Sequence, residues 1–113
     1  MKKLKTATTV MGKRFKYEGT LTHGVSVHFG GDGGRAWLIP NEIIQVIQTE
    51  IANRSPVLMG ANRRPLVKNS VGETIFREHG FSPAAMTYIL PLLIEDGFCT
   101  ISDRRPYLIS VTK

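Results

Sequence analysis

Residues 70–97 read SVGETIFREHGFSPAAMTYILPLLIEDG, a stretch with two helix starts and two glycine stops. Ser70 and Glu73 have the spacing of a capping box. In this motif the serine hydroxyl accepts the N–H of the third helical residue, and the glutamate reaches back to the serine N–H. Gly80 is a suitable helix stop, because glycine adopts the left-handed conformation without strain. The pattern therefore predicts a first helix that ends at His79.

A second helix pattern follows directly. Ser82 is a good N-cap, and Pro83 suits the first helical position, where its missing N–H is not needed. Apolar residues then recur on one face up to Gly97, and they are Met86, Ile89, Leu90, Leu93 and Ile94. The opposite face is predicted to point outward with Ala84, Thr87, Tyr88, Pro91 and Glu95. Pro91 lies inside this helix, removes a backbone hydrogen bond and predicts a bend.

Two β-prone segments come next, on either side of a polar turn. They are Phe98–Ile101 and Tyr107–Val111, and the turn between them carries Arg104 and Arg105. Upstream, an apolar stripe predicts another helix that Asn41 caps and that ends before Pro56, and its members are Ile43, Ile44, Ile47 and Ile51. Pro56 to Met59 is predicted to add a short extra strand.

The order of helix, turn, helix and β-ribbon resembles the winged helix-turn-helix family of nucleic-acid-binding domains. The phrase from Leu92 to Phe98 looks like the end of the family's recognition helix running into its wing. With residues 41–68 the resemblance covers about two-thirds of the chain. It implies that the second motif helix lies in a major groove of DNA. The predicted outward face of that helix holds no Arg, Lys, Asn or Gln, the side chains that read guanine and adenine edges, so we expect weak direct sequence readout.

Residues 14–40 alternate between apolar and polar with a period of two, which is typical of strands. The alternation starts at Arg14, turns near His23 and Gly24, and a further strand is predicted from Arg35 to Ile39. Gly30–Gly34 lacks the lysine and Ser/Thr of a phosphate-binding loop, which favours a flexible hairpin loop. The predicted fold class is thus α+β, a winged helix-turn-helix with an N-terminal antiparallel β-meander. It forms one domain over residues 1–113, made of a basic arm (1–13), the β-meander (14–40) and the winged helix (41–113).

The positive charge is concentrated near the start of the chain. The formal net charge is +6, and residues 1–40 hold seven Lys or Arg against two acidic residues. This excess favours an anionic partner, although a solvated tail without a partner is the alternative. The chain has no apolar run of membrane-spanning length, and Thr6–Val10 is too short and polar for a signal-peptide core. With a single cysteine and hence no internal disulfide, we expect a cytoplasmic protein that does not bind membranes.

Enzyme and metal chemistry is not predicted. His23, His28, His79 and Cys99 are scattered over several predicted elements, which does not suit a metal site. His79 is predicted on the buried side of its helix and Cys99 in the core. The acidic residues lie at helix ends and turns, and no nucleophile has a base beside it. We therefore expect no catalytic residue, no metal and no cofactor.

The basic residues that flank the helix-turn-helix form the candidate site. The predicted DNA contacts are Arg63, Arg64, Lys68, Ser82, Thr87, Tyr88, Arg104 and Arg105. The expected function is binding of duplex DNA, chiefly through phosphates, by a small regulatory or phage- or plasmid-type accessory protein that is either a monomer or a homodimer. The alternative is a winged helix that serves as a protein-interaction module without DNA binding, with Tyr88, Pro91 and Leu92 as its contact patch.

Overall fold

The computed structural model describes residues 4–29, 34–62 and 64–112. Four strands open the chain, and they are β1 (Lys5–Thr8), β2 (Arg14–Thr20), β3 (Gly24–His28) and β4 (Ala36–Ile39). The remaining elements are α1 (Asn41–Arg54), β5 (Val57–Leu58), α2 (Val71–His79), α3 (Ala85–Glu95), β6 (Cys99–Ile101) and β7 (Leu108–Val111). The first four strands form one sheet in chain order, and the last three form a second sheet in the order β5-β7-β6. The α+β class and the N-terminal antiparallel sheet are confirmed.

The four-stranded sheet has one apolar and one polar face, because successive side chains of a strand point to opposite sides. Pairing aligns Val27 with both Tyr17 and Trp37, so these three side chains share the face that packs on the helices. The other face is polar, and on it the Nε2 atom of His28 lies 2.9 Å from a carboxylate oxygen of Glu18. The sheet thus contributes one apolar surface to a core that it shares with the helices.

The prediction of a basic arm over residues 1–13 is wrong for Lys5–Thr8. This segment is the edge strand β1, and all four of its residues pair with Arg14–Tyr17 of β2. The turn between the two strands is held at Thr9, whose carbonyl accepts the Gly12 N–H (2.9 Å) and whose hydroxyl accepts the Lys13 N–H (3.1 Å). Threonines favour strands, and the closed turn brings the segment Lys5–Thr8 back onto β2. Of the lysines in the predicted arm, Lys5 therefore lies on a strand and Lys13 in the turn after it.

The helix α1 begins one residue earlier than the predicted cap allows. Asn41 is its first helical residue, and the Pro40 carbonyl accepts the N–H groups of Ile43 (3.0 Å) and Ile44 (3.2 Å). Proline is held at a φ of −70°, and with its extended ψ it occupies the flanking position that Asn41 was predicted to fill. The isoleucine stripe is buried as predicted.

The start of α2 follows the capping-box prediction with one difference. The Ser70 hydroxyl accepts the Glu73 N–H (3.0 Å) and donates to the Val67 carbonyl (2.7 Å). The Glu73 carboxylate, however, accepts the N–H of Asn69 (2.9 Å) where the capping box predicts the Ser70 N–H. This N–H, with Arg77 one helical turn away, lowers the pKa of Glu73. The first turn of α2 is therefore fixed by two side chains.

The end of α2 is the predicted glycine stop. Gly80 has a φ of 64°, and its N–H donates to the Phe76 carbonyl (3.1 Å) while the Phe81 N–H reaches the Ile75 carbonyl (3.0 Å). The bond from Gly80 to the carbonyl four residues back is that of the αL motif, which uses a carbonyl that the helix leaves without a partner. The prediction that His79 lies on the buried side is wrong, because the last turn of α2 is exposed.

The helix α3 begins later than predicted. Ser82 and Pro83 form a preceding turn, in which the Ser82 hydroxyl accepts the Ala84 N–H (3.2 Å) and its carbonyl accepts the Ala85 N–H (3.1 Å). The helix itself starts at Ala85 without a side-chain cap and continues through Pro91. Ser82 thus caps a turn that leads into the helix.

The helix α3 is covered on both sides. Its predicted core face is buried, with Met86, Ile89, Leu90 and Leu93 inaccessible to solvent. The prediction that the opposite face points outward is wrong for Tyr88, whose ring packs edge-on against Phe15 at 5.1 Å between centroids. Leu92 beside it is 6% exposed. A helix that is apolar on most of its circumference is normally buried, and here the four-stranded sheet supplies the second cover.

Candidate nucleic-acid interface

Two loops leave the same end of the three-stranded sheet. Leu58 of β5 pairs with Leu108 of β7, and the next residue, Met59, donates its N–H to the Tyr107 carbonyl (3.0 Å). On the other side of β7, the Ser102 N–H donates to the Leu108 carbonyl (2.9 Å). The loop 60–69 after β5 and the turn 102–107 between β6 and β7 therefore start from one end of the sheet, although they are about 40 residues apart in sequence.

The turn between β6 and β7 has a fixed backbone and exposed side chains. The Ser102 hydroxyl donates to the Arg104 carbonyl (3.2 Å) and accepts the Leu108 N–H (3.0 Å). Arg104 and Arg105 are both exposed. The predicted position of these two arginines, at the tip of a two-stranded ribbon, is confirmed.

The loop 60–69 leaves the sheet and returns to almost the same place. The Gly72 N–H donates to the Met59 carbonyl (3.1 Å), and Leu58 forms a parallel bridge with Ser70. The approach is so close that a Cβ atom on Gly72 would overlap the Gly60 carbonyl. Between these fixed ends the loop exposes Arg64 and Lys68, whereas the predicted contact Arg63 lies outside the described residues.

The cations of this end differ in their partners from Arg54 and Arg77, the two arginines that lie on helices. Arg54 and Arg77 are held by carboxylates one helical turn away, Glu50 at 2.8 Å and Glu73 at 3.1 Å. Within residues 4–29, 34–62 and 64–112, no ion pair or side-chain hydrogen bond holds Arg64, Arg104 or Arg105. Lys68 likewise has no side-chain partner among the described residues, and its positive charge helps to lower the pKa of Glu73. We call Arg64, Lys68, Arg104 and Arg105 the basic end.

The other predicted contacts lie elsewhere. Thr87 and Tyr88 belong to the side of α3 that faces the four-stranded sheet, and both line a cleft beside that sheet. The Ser82 hydroxyl is occupied by the Ala84 N–H. The loops that carry the cations thus leave one end of the three-stranded sheet, whereas Thr87 and Tyr88 line a cleft beside the other sheet.

The titratable groups of the core show the effect of burial. Burial raises the pKa of the Cys99 thiol to about 11, so this side chain is a protonated core residue, and its predicted core position is confirmed. Burial, and then the charge of Glu95, raise the pKa of Tyr17.

In the described part of the chain no three His, Cys, Asp or Glu side chains are grouped as metal ligands. No helix described there has the length and apolar character needed to cross a bilayer.

Comparison with known proteins gives no assignment. The chain matches no protein-family model, no curated protein and no solved structure. Its function must therefore be inferred from its own geometry.

Proposed function

We propose that this chain is a winged-helix protein that binds duplex DNA mainly through phosphates, with the basic end as the contact surface. The observation that supports this is the convergence of two loops at one end of a sheet, where Arg64, Arg104 and Arg105 are exposed and unpaired in the described residues. Phosphate contacts come mostly from such side chains and position a protein on the duplex.

The element order supports the winged-helix part of the proposal. From α1 onward the chain runs helix, strand, helix, helix, strand, strand, and the short strand β5 pairs with β7 beside the β6–β7 ribbon. In this assignment α2 and α3 form the helix-turn-helix, and the ribbon is the wing. The small size of the domain fits a regulatory or a phage- or plasmid-type accessory role.

The covered face of α3 favours phosphate contacts over base reading. A recognition helix reads bases with side chains that enter the major groove. The corresponding side of α3 packs on the four-stranded sheet through Tyr88 and Leu92. Binding through the basic end needs no such insertion, because exposed arginines release counterions from the phosphate backbone wherever they meet it.

The proposal is tested by replacing both arginines of the wing. The double variant Arg104→Ala, Arg105→Ala should bind labelled duplexes more weakly, and by a similar factor on unrelated sequences. The slope of log affinity against log salt should fall by about 1 to 2, since each phosphate contact contributes about 0.9. Fluorescence anisotropy over a salt series measures both quantities.

A matched control is Arg77→Ala. Arg77 is exposed, with 63% of its side chain accessible, but it is paired with Glu73 on α2. It should change the salt slope less than the wing variant does. Equal affinity of the wing variant and the wild type would refute the proposal.

The protein-interaction alternative loses part of its predicted patch. Leu92 is only 6% exposed and the Tyr88 ring packs edge-on against Phe15, whereas Tyr88 and Pro91 stay partly exposed. Weak DNA binding that does not respond to salt would nevertheless favour a protein partner over phosphates.

A further inference from the structure

A second surface of the protein combines positive charge with exposed apolar side chains. It is a cleft of about 1020 Å³ at the end of the four-stranded sheet, beside the first half of α3. Lys13, Arg14 and Lys16 line it, together with Met11 and Phe29. This cleft takes no part in the DNA contacts proposed above.

The sheet fixes the positions of these side chains. Arg14 and Lys16 are two residues apart on β2 and hence on its same, polar face. Lys13 and Met11 belong to the β1–β2 turn, which is closed by the Thr9 hydroxyl on the Lys13 N–H. Phe29 follows β3, and its N–H donates to the Arg35 carbonyl (2.8 Å). Phe29 contacts Tyr88 and therefore lies on the opposite, helix-facing side of the sheet. The cleft thus runs around the end of the sheet, where residues of both faces line it.

The apolar part of the cleft is open to solvent. Met11 is 65% exposed and Phe29 is 37% exposed, and both are among the few large apolar side chains that the described residues expose. Exposed apolar side chains that lie together usually mark a binding surface. Tyr88 also lines the cleft, and its ring meets Phe29 edge-on at 5.6 Å between centroids.

The charged side chains that the structure describes as lining the cleft are all basic. Among the described lining residues no carboxylate offsets Lys13, Arg14 and Lys16. Glu18, the acidic residue nearest along β2, is held by His28 at 2.9 Å and does not line the cleft. A ligand that matches this surface carries negative charge at one end and an apolar body at the other.

The geometry argues against unpaired nucleic acid as that ligand. Single strands bind to aromatic rings that offer a free face to each base. Here Phe15 is only 8% exposed, and the rings of Phe15 and Phe29 both meet Tyr88 edge-on. The volume of the cleft is also close to the upper end of about 300–1,000 Å³ that single small ligands occupy.

We propose that the cleft binds a soluble organic anion with an aliphatic or aromatic body. Lys13, Arg14 and Lys16 hold the anionic head, and Met11, Phe29 and Tyr88 contact the body. This site is separate from the basic end and does not depend on DNA binding.

Trp37 provides the measurement. It is the only tryptophan of the chain, and its ring lies 6.2 Å from that of Tyr88 between centroids. Titration with dodecanoate below its micelle concentration should therefore change the Trp37 fluorescence with saturation. Dodecanol, which has the same chain without the charge, should bind more weakly, and acetate, which is the head alone, should not bind measurably.

The charge variant is Lys13→Glu, Lys16→Glu, at two exposed positions. It should weaken dodecanoate binding by about tenfold or more through the loss of charge-assisted contacts, and it should leave dodecanol binding unchanged. The variant Met11→Ser, at an exposed turn position, should weaken both ligands. The wing variant Arg104→Ala, Arg105→Ala should bind dodecanoate like the wild type, which separates this site from the basic end.

Three results would overturn the proposal. The first is equal affinity for dodecanoate and dodecanol, which would mean that the cations hold no head group. The second is an unchanged dodecanoate affinity in the charge variant, with its fold verified by circular dichroism. The third is that the protein does not bind dodecanoate but binds oligothymidylate, or vesicles of phosphatidylcholine with phosphatidylglycerol, with an affinity that the charge variant lowers.

Discussion

Both sheets of this protein expose cations, but they differ in how they pack against the helices. The four-stranded sheet covers α3, and its ring contact from Phe15 to Tyr88 closes the side that a groove-reading helix needs. The three-stranded sheet packs Val57 and Ile109 into the core and leaves the loops of one end free. Apolar contact therefore covers part of α3 on the side of the four-stranded sheet, and exposed cations mark the loop end of the three-stranded sheet.

The largest loss of stability is expected when the Phe15 ring, which joins the four-stranded sheet to α3, is removed. Phe15→Ala should lower the free energy of unfolding by about 3–5 kcal/mol through lost burial and a cavity under Tyr88. Urea denaturation followed by Trp37 fluorescence measures the loss. Phe29→Ala is the matched control, because Phe29 also touches Tyr88 but is 37% exposed. Equal losses in the two variants would mean that the four-stranded sheet covers α3 only loosely.

The corresponding change on the three-stranded side is Gly72→Ala. A methyl group there overlaps the Gly60 carbonyl, so the start of the loop 60–69 must shift. We expect a loss of about 1–3 kcal/mol in unfolding free energy, as for other overpacked sites, together with weaker binding of duplex DNA. Gly97→Ala is the control, because it strains a backbone with a φ of 84° but meets no other atom within 4 Å. Unaltered duplex affinity in Gly72→Ala would separate this loop from the proposed interface.

The buried thiol of β6 predicts a pH dependence. The pKa of Cys99 is raised from its usual value near 9 to about 11, because the folded state keeps the thiol neutral in the core. Its contribution to stability is full below about pH 9 and is lost as the pH rises toward 11, since the unfolded chain ionises first. Tyr17 has a raised pKa as well, so its contribution is lost in the same direction.

Urea midpoints of the wild type and of Cys99→Ala, compared over this pH range, isolate the contribution of the cysteine to stability. Cys99→Ala should lose less stability between pH 9 and 11 than the wild type, although it is less stable at neutral pH. Parallel pH profiles of the two proteins would contradict the burial of the thiol.

The smallest expected effect concerns DNA sequence. Selection from a randomised duplex pool should give little enrichment, because each bidentate base contact supplies about 1–3 kcal/mol and α3 carries no Arg, Lys, Asn or Gln to make one. Thr87→Ala and Tyr88→Phe, which keep the packing of α3, should bind selected and random duplexes alike. A sharp motif that disappears in Thr87→Ala would show that α3 reaches the bases.

Elements with a local signal could be predicted from the sequence. The isoleucine stripe of α1, the Ser70 cap and the Gly80 stop each act within a few residues. The strand β1 and the cover over α3 could not be predicted in this way. Tyr88 lies opposite the core stripe by helical angle alone, and only the packing of a distant sheet partly covers it.

For the candidate site, too, only the locally determined features could be predicted from the sequence. The tip position of Arg104 and Arg105 follows from local turn chemistry. Their location at the same end as Arg64 depends on the pairing of β5 with β7, which joins residues about 50 apart. Sequence spacing alone therefore identifies the cations but not their grouping.

The shared core has a consequence for how the chain can be divided. Val27 and Ile39 of the four-stranded sheet belong to the same buried cluster as Ile44 and Leu93 of the helices. A shorter chain that began at Asn41 would expose the Tyr88 side of α3 to water, and such a surface promotes self-association. We therefore expect the shortened chain to self-associate and the whole chain to melt in a single cooperative transition.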